Sequence, residues 1–486
     1  MNYSLNNANQ IVKEKKNEVN KQYYPTFHFA PTVGWMNDPN GVSFYQEYYH
    51  LFYQYYPYDS QWGPMHWGHA KSKDGLKWEH LPVALAPDEN YDKGGCFSGS
   101  AIEKDGILYL MYTGHLPNEE DETLTRQNQN IAFSEDGVNF VKYENNPVLS
   151  EEDVPSGSSV VDFRDPKIVE KNGTYYCVIG SKTVNNEGQV LLYKSNDLFN
   201  WEFVSVVLEH NKYLGSMVEC PDLLLFEKKQ VFMLSAMDYT DEVTKVFYPH
   251  ITWIIEGEMD WNKYKFEVSK VYEMDKGLDF YAPQSVRIGE QYVAFAWMQG
   301  WNRTLPTHDN KHLWAGQMSL PRTIAEEGLS LKFNYLENIK DQIKEDLVIS
   351  NFDFEEELII GNPVEYLKVK ISNQVINNFE ITFSNELNEQ LKSIIENNTV
   401  VFSRESLNVE IRDYKQDKLS ETKRTNYKGD FVDIEFFVDK SSIEIFINGE
   451  SSITSTYYMD SPITNVLLSS TDTLKIDTIV TGDISK

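Results

Sequence analysis

The segment Ser72-Lys73-Asp74-Gly75-Leu76-Lys77-Trp78 recurs as Ser134-Glu135-Asp136-Gly137-Val138-Asn139-Phe140 and again as Ser195-Asn196-Asp197-Leu198-Phe199-Asn200-Trp201. All three read Ser-x-Asp-x-x-x-aromatic, and their starts lie 62 and 61 residues apart. A regular period built from short strands marks a propeller or solenoid, because one unit cannot bury its own apolar face. Each period holds about four strands of roughly 5–6 residues with their turns, the size of a propeller blade. Strand-length apolar runs, such as Ile107-Leu108-Tyr109-Leu110-Met111-Tyr112 and Tyr175-Tyr176-Cys177-Val178-Ile179, continue from Tyr23 to about residue 325. That stretch takes five such units, so the expectation is a five-bladed β-propeller over residues 23–325. The motif itself reads as a turn in which Ser and Asp bond their own backbone. Its value lies in the register it sets.

Beyond about residue 328, opening with Leu329-Ser330-Leu331-Lys332-Phe333, period-2 alternation takes over. Phe431-Val432-Asp433-Ile434-Glu435-Phe436-Phe437-Val438-Asp439 and Ser442-Ile443-Glu444-Ile445-Phe446-Ile447 are examples. Alternation of this kind suits antiparallel strands with one buried face. Residues 335–486 therefore read as a C-terminal β-sandwich. Residues 1–22 are polar and form an N-terminal arm, either a short helix or a flexible tail, with no assigned chemistry. Aromatics make up 14% of the chain and suit strands, which favours an all-β fold.

Within this register three carboxylates fall near the start of their own repeats. Asp38 belongs to the first unit, Asp165 to the third and Glu219 to the fourth. Equivalent early strands of a propeller line its central axis, so these residues converge at one mouth. Asp38 and Asp165 each precede a proline, which biases the backbone towards an extended conformation. Taken singly, Asp38-Pro39-Asn40-Gly41 is a good turn and Arg164-Asp165 a good ion pair. Three acids at matching positions fit chemistry better. Retaining glycosidases use two carboxyl groups about 5–5.5 Å apart, one a nucleophile and one an acid/base of raised pKa. A third carboxylate can hold sugar hydroxyls.

A net charge of −30 excludes nucleic acid and anionic membranes as partners. Three cysteines, Cys96, Cys177 and Cys220, give no disulfide framework and fit a reducing, cytoplasmic setting. There is no apolar run of about 18 residues to span a bilayer, nor an N-terminal signal stretch. His66-Trp67-Gly68-His69 lacks clustered further ligands, so its histidines read as structural and no metal or other cofactor is expected. A homo-oligomer is compatible with the sequence.

Trp35-Met36-Asn37-Asp38-Pro39-Asn40-Gly41 closely resembles the signature of glycoside hydrolase family 32, the invertases, fructanases and sucrose-6-phosphate hydrolases. Phe97-Ser98-Gly99-Ser100, Phe163-Arg164-Asp165-Pro166 and Glu219-Cys220-Pro221-Asp222 resemble its other blocks in order. Asp439-Lys440-Ser441-Ser442-Ile443-Glu444-Ile445-Phe446 resembles its C-terminal sandwich. The resemblance implies a five-bladed propeller joined to a β-sandwich. It implies Asp38 as nucleophile, Glu219 as acid/base and Asp165 as transition-state stabiliser with Arg164 beside it. Asn37, Gln54, Trp62, Phe97 and Ser98 would shape a fructose pocket. Trp301 or Tyr281 would serve as a sugar platform.

The implied reaction is hydrolysis of the β-fructofuranosyl bond of sucrose or sucrose 6-phosphate. For a phosphate, the candidate partners are Arg303, Lys311 and His312. Three alternatives remain: a fructan hydrolase of the inulin or levan type, a related five-bladed hydrolase of arabinose-containing glycans, and a non-catalytic sugar-binding propeller. The intact block around Asp38 argues against the second, and the retention of all three carboxylates against the third.

Overall fold

The computed structural model describes residues 3–485 apart from 299, 362–363, 373–374 and 414. The chain is almost entirely β. Five small sheets follow one another along its first two-thirds, and two six-stranded sheets make up the rest. The first strands of the five sheets are β1 (Gly34–Tyr45), β2 (Cys96–Lys104), β3 (Ser158–Lys171), β4 (Met217–Leu225) and β5 (Tyr281–Ile288). They form a closed ring of contacts: β1 meets β2, β2 meets β3, β3 meets β4, β4 meets β5, and β5 returns to β1. A two-residue strand, Trp314–Ala315, completes the ring by pairing in parallel with Gly34 and Trp35 of β1.

The repeated motif is the turn between the third and fourth strands of its sheet. Asp74 Oδ1 accepts from the backbone N–H of Leu76 and Lys77 at 2.9 and 2.8 Å, and Ser72 Oγ accepts from Gly75 at 2.9 Å. Asp136 and Asp197 repeat this on Val138 and Asn139, and on Phe199 and Asn200. The Trp78 and Trp201 indoles donate back to the turn carbonyls of Gly75 and Leu198. Local hydrogen bonding thus produces the repeat, as the sequence indicates.

The boundary expected at residue 325 falls short. Strand Ser330–Tyr335 pairs with Arg322–Glu327 in the fifth sheet. Its alternation resembles that of the later strands because it too has one buried face. The two six-stranded sheets, which begin at Ile343, share one apolar core. Val369, Ile434 and Ile445 from one sheet meet Ile381, Phe402 and Leu468 from the other.

The N-terminal arm is a docked helix, Leu5–Lys15, rather than a tail. Ala8 is buried in the core beside the first sheet, and Asn9 Oδ1 accepts from Val83 N at 2.9 Å. Among the described residues no helix is long and apolar enough to cross a membrane. Buried ion pairs join the two halves of the chain. His28 lies between Asp439 and Glu444, 3.0 Å from each, and Arg404 reaches Asp279 at 2.8 Å.

Candidate active site

Each inner strand carries a break in its hydrogen-bond ladder. The breaks fall between Met36 and Pro39, between Phe97 and Gly99, between Arg164 and Lys167, between Glu219 and Asp222, and between Tyr281 and Gln284. A bulge of this kind leaves residues unpaired and re-aims their side chains. Asp38, Ser98, Asp165 and Cys220 all lie within one. The extended backbone expected of Asp165 before its proline does not occur. Its φ is +64°, and Cys220 and Ala282 adopt φ of +46° and +51°. The bulge, held by neighbouring inner strands, overrides the local pre-proline preference.

Ten of the residues expected from the sequence line one cavity of about 420 Å³: Asn37, Asp38, Gln54, Trp62, Phe97, Ser98, Arg164, Asp165, Glu219 and Trp301. His115 and Gln127 complete the lining. Trp62 is 46% exposed, leaving its indole open at the mouth. Trp301 packs against Trp35 and Trp297. Asn37 Oδ1 accepts from Trp35 Nε1 at 2.7 Å, and Gln54 donates to the Cys96 carbonyl at 2.9 Å. These bonds hold the wall rigid.

Ser98 Oγ donates to Asp38 Oδ2 at 2.8 Å. Asp38 Oδ1 is enclosed and has no hydrogen-bond partner among the described residues. The Cys220 N–H donates to Asp165 Oδ2 at 2.9 Å, and its thiol lies 3.7 Å from Asp38 Oδ2 and 3.6 Å from Asp165 Oδ2. The Thr113 hydroxyl accepts from the Asp165 backbone N–H at 3.0 Å. Arg164 donates to Glu219 Oε1 at 2.9 Å and to Asp162 Oδ1 at 2.9 Å. Tyr281 donates to Glu219 Oε2 at 2.6 Å. Tyr281 is therefore a carboxylate partner and not an open platform; it is 1% exposed.

Burial pushes the Asp38 carboxyl up to about 6, and the Glu219 charge adds to this against the Ser98 hydrogen bond. Burial likewise raises Asp165 to about 7; Arg164 opposes the rise, while Glu219 and Asp38 reinforce it. Burial would raise Glu219 too, but the Arg164 cation and the Tyr281 hydroxyl outweigh it and hold its carboxyl below the usual glutamate range. The expectation of a raised acid/base carboxyl thus fails in the free protein. The reason is the guanidinium placed against Glu219. The site instead sets one cation among three carboxylates, with both aspartates raised and Glu219 lowered.

The candidate phosphate partners lie elsewhere. Arg303 is committed to Asp279 at 2.6 Å, His312 is buried against Tyr23, and neither they nor Lys311 line the cavity. His69 bonds His50 at 3.0 Å and stacks on Phe52, a packing role. A second groove of about 410 Å³ runs between Lys21, Tyr23 and the C-terminal sheets near Met459 and Pro462. Its buried acid, Asp439, is engaged by the N–H groups of Phe27 and His28, so it offers no comparable chemistry.

Comparison with known proteins supplies the remaining evidence. A sucrose-6-phosphate hydrolase of Escherichia coli is 32% identical over 90% of this chain and 89% of its own length. A raffinose invertase of Escherichia coli is also 32% identical, over 90% of each chain. A solved GH32 beta-fructofuranosidase of Bombyx mori superposes with a TM-score of 0.85 at 34% identity, covering 99% of this chain and 98% of that one. The Glycosyl hydrolases family 32 N-terminal domain matches residues 28–333 and the family 32 C-terminal domain matches residues 341–483. With four inner strands lining one carboxylate-bearing cavity and the two family domains matching residues 28–333 and 341–483, this chain belongs to glycoside hydrolase family 32.

Proposed function

We propose that the protein is a retaining β-fructofuranosidase that releases fructose from sucrose or sucrose 6-phosphate. The observation that carries this reading is the placement of Asp38. Ser98 orients its carboxylate, which lines the cavity shared with Glu219 and Asp165. An oriented carboxylate sharing a cavity with a second carboxyl group suits attack on an anomeric carbon.

In this mechanism an Asp38 oxygen bonds to the anomeric carbon of the fructosyl unit as the bond to the leaving oxygen breaks. Glu219 gives its proton to that oxygen. Water then attacks the same carbon, Glu219 takes a proton from it, and the bond to Asp38 breaks. Glu219 must carry a proton for the first step, so substrate binding must raise its carboxyl from the lowered state of the free protein. Asp165, fixed by the Cys220 N–H, holds fructosyl hydroxyls as positive charge develops. Asn37, Gln54, Trp62, Phe97, Ser98, Arg164 and Trp301 shape the pocket.

The same reading makes the five sheets the blades of a five-bladed catalytic propeller, running from residue 23 through Tyr335. The later sheets form the β-sandwich. The ring of inner-strand contacts supports that count. Cys96, Cys177 and Cys220 are buried free thiols, which supports a cytoplasmic location.

The test is hydrolysis of sucrose by the wild type and two variants. Glu219→Ala is expected to lower kcat by about 10²–10⁴-fold, and Asp38→Ala to lower it at least as far. Proton NMR of the first-formed fructose should show retained configuration. Full activity in both variants, or inverted product, would overturn the reading.

A further inference from the structure

The relatives leave one question open, since names with and without a phosphate occur at the same 32% identity. We propose that His115 receives the leaving sugar through a neutral imidazole hydrogen bond, so that the cavity selects an uncharged leaving sugar over a phosphorylated one. This rests on the β-fructofuranosidase reading of the cavity.

His115 lies near the end of strand Ile107–Leu116, opposite Gln127, which also lines the cavity. Its backbone is pinned on both sides: its N–H donates to the Gly95 carbonyl and its carbonyl accepts from Gly94, each at 3.0 Å. Its ring lies flat on Phe97, with centroids 4.3 Å apart and planes 13° apart. The position is therefore preorganised rather than adjustable.

Two observations define what the ring offers. Burial first, and the nearby Arg164 charge second, push its pKa down to about 4, so it is neutral wherever the enzyme works near neutrality. Its Nδ1 is enclosed with no partner among the described residues. An enclosed bare lone pair is tolerated better than an enclosed unbonded N–H. The single ring proton therefore sits on Nε2, as a donor without charge.

The location assigns it to the leaving sugar. Arg164 and Asp162 are the charges His115 feels, and Arg164 is the residue that grips Glu219. Glu219 serves the leaving oxygen, so the sugar attached to that oxygen extends to this side of the cavity. A hydroxyl there can accept from Nε2. A phosphate dianion would find no free cation. Arg164 is the one cation lining the cavity among the described residues, and it is shared between Asp162 and Glu219. Lys182, which shares Asp162 with Arg164, is paired with that carboxylate at 2.9 Å. Three carboxylates and a net charge of −30 oppose a further dianion.

The experiment compares kcat/KM on sucrose, sucrose 6-phosphate and phenyl β-D-fructofuranoside. The wild type is expected to favour sucrose over sucrose 6-phosphate by about tenfold or more. That ratio needs no variant. His115→Ala should lose at least about tenfold more on sucrose than on the phenyl fructoside, whose leaving group has no sugar hydroxyls. His115→Lys, which adds a cation, should narrow the preference for sucrose. A wild type that cleaves sucrose 6-phosphate as well as or better than sucrose overturns the proposal. So do equal losses on both substrates in His115→Ala. If the wild type cleaves none of the three, the fructosidase reading itself falls.

Discussion

The Arg164 guanidinium donates twice to the same oxygen of Glu219, from Nη2 at 2.9 Å and from Nε at 3.3 Å. That contact holds the Glu219 carboxyl below the usual glutamate range in the free protein. Arg164→Gln removes the cation, so the carboxyls it faces rise together. The alkaline limb of the kcat/KM profile is expected to move up by about one unit or more. A profile from pH 4 to 9 measures it, and an unmoved limb would dissociate Arg164 from the acid/base.

The acid limb belongs to Asp38, which must be ionised to attack. With its carboxyl at about 6, kcat/KM should rise as pH passes through that value. Ser98 stabilises the ionised form by its 2.8 Å hydrogen bond. A bond to a charged group is worth about 1.5–3 kcal/mol, or roughly one to two pKa units. Ser98→Ala should therefore shift the acid limb upward by about one unit and cost more activity at pH 5 than at pH 7.

The same burial has a stability consequence. Asp38 holds its proton to about pH 6 when folded, against 3.8 unfolded. Unfolding releases that proton between those values, so stability falls as pH rises through the window. Asp38→Asn removes the effect. Its Tm should exceed that of the wild type at pH 7.5, by an amount corresponding to about 3 kcal/mol, and the two should converge near pH 4. Calorimetry at both pH values decides it.

His28 behaves in the opposite sense. Asp439 and Glu444 hold it protonated and raise it to about 9, against the lowering effect of burial. Its stabilisation is complete below pH 6.5 and is lost as pH rises through 9. Breaking a buried pair costs about 3–5 kcal/mol. His28→Leu should show that loss in urea unfolding at pH 6 and a smaller one at pH 9.5.

Gly180 controls how closely β4 approaches the strand paired with Arg164. A Cβ there would stand 2.3 Å from the Val218 carbonyl oxygen. Gly180→Ala must push Glu219 away from Arg164. The expected cost is about 1–3 kcal/mol of stability together with at least a tenfold fall in kcat/KM, read from Tm and steady-state kinetics.

Much of this was legible in the chain because the determinants are local. The Ser-x-Asp turn forms its own hydrogen bonds, so it repeats visibly wherever a third strand meets a fourth. Asp38, Asp165 and Glu219 stood out because each begins a unit. What escaped the sequence depends on contacts between strands. The left-handed backbone of Asp165 is imposed by the bulge and not by its neighbours in sequence. Tyr281 meets Glu219 from the next inner strand, and no local pattern signals that its hydroxyl is occupied. His115 reaches the cavity by lying on Phe97, a stacking partner 18 positions away in sequence. Strand Ser330–Tyr335 alternates like the sandwich strands that follow, so alternation alone could not assign it to the fifth sheet.

The two-residue strand Trp314–Ala315 has a bearing on how the protein is made. The strand carrying Asp38 leaves the ribosome early, yet its neighbour on the inner edge is translated some 280 residues later. At roughly 5–20 residues per second that is a delay of about 14–56 seconds. Throughout it, one edge of the nucleophile's strand is open to pairing with another chain. Nascent or truncated products ending before residue 314 should therefore be the aggregating species, and protection of that edge during translation should govern the yield of active enzyme.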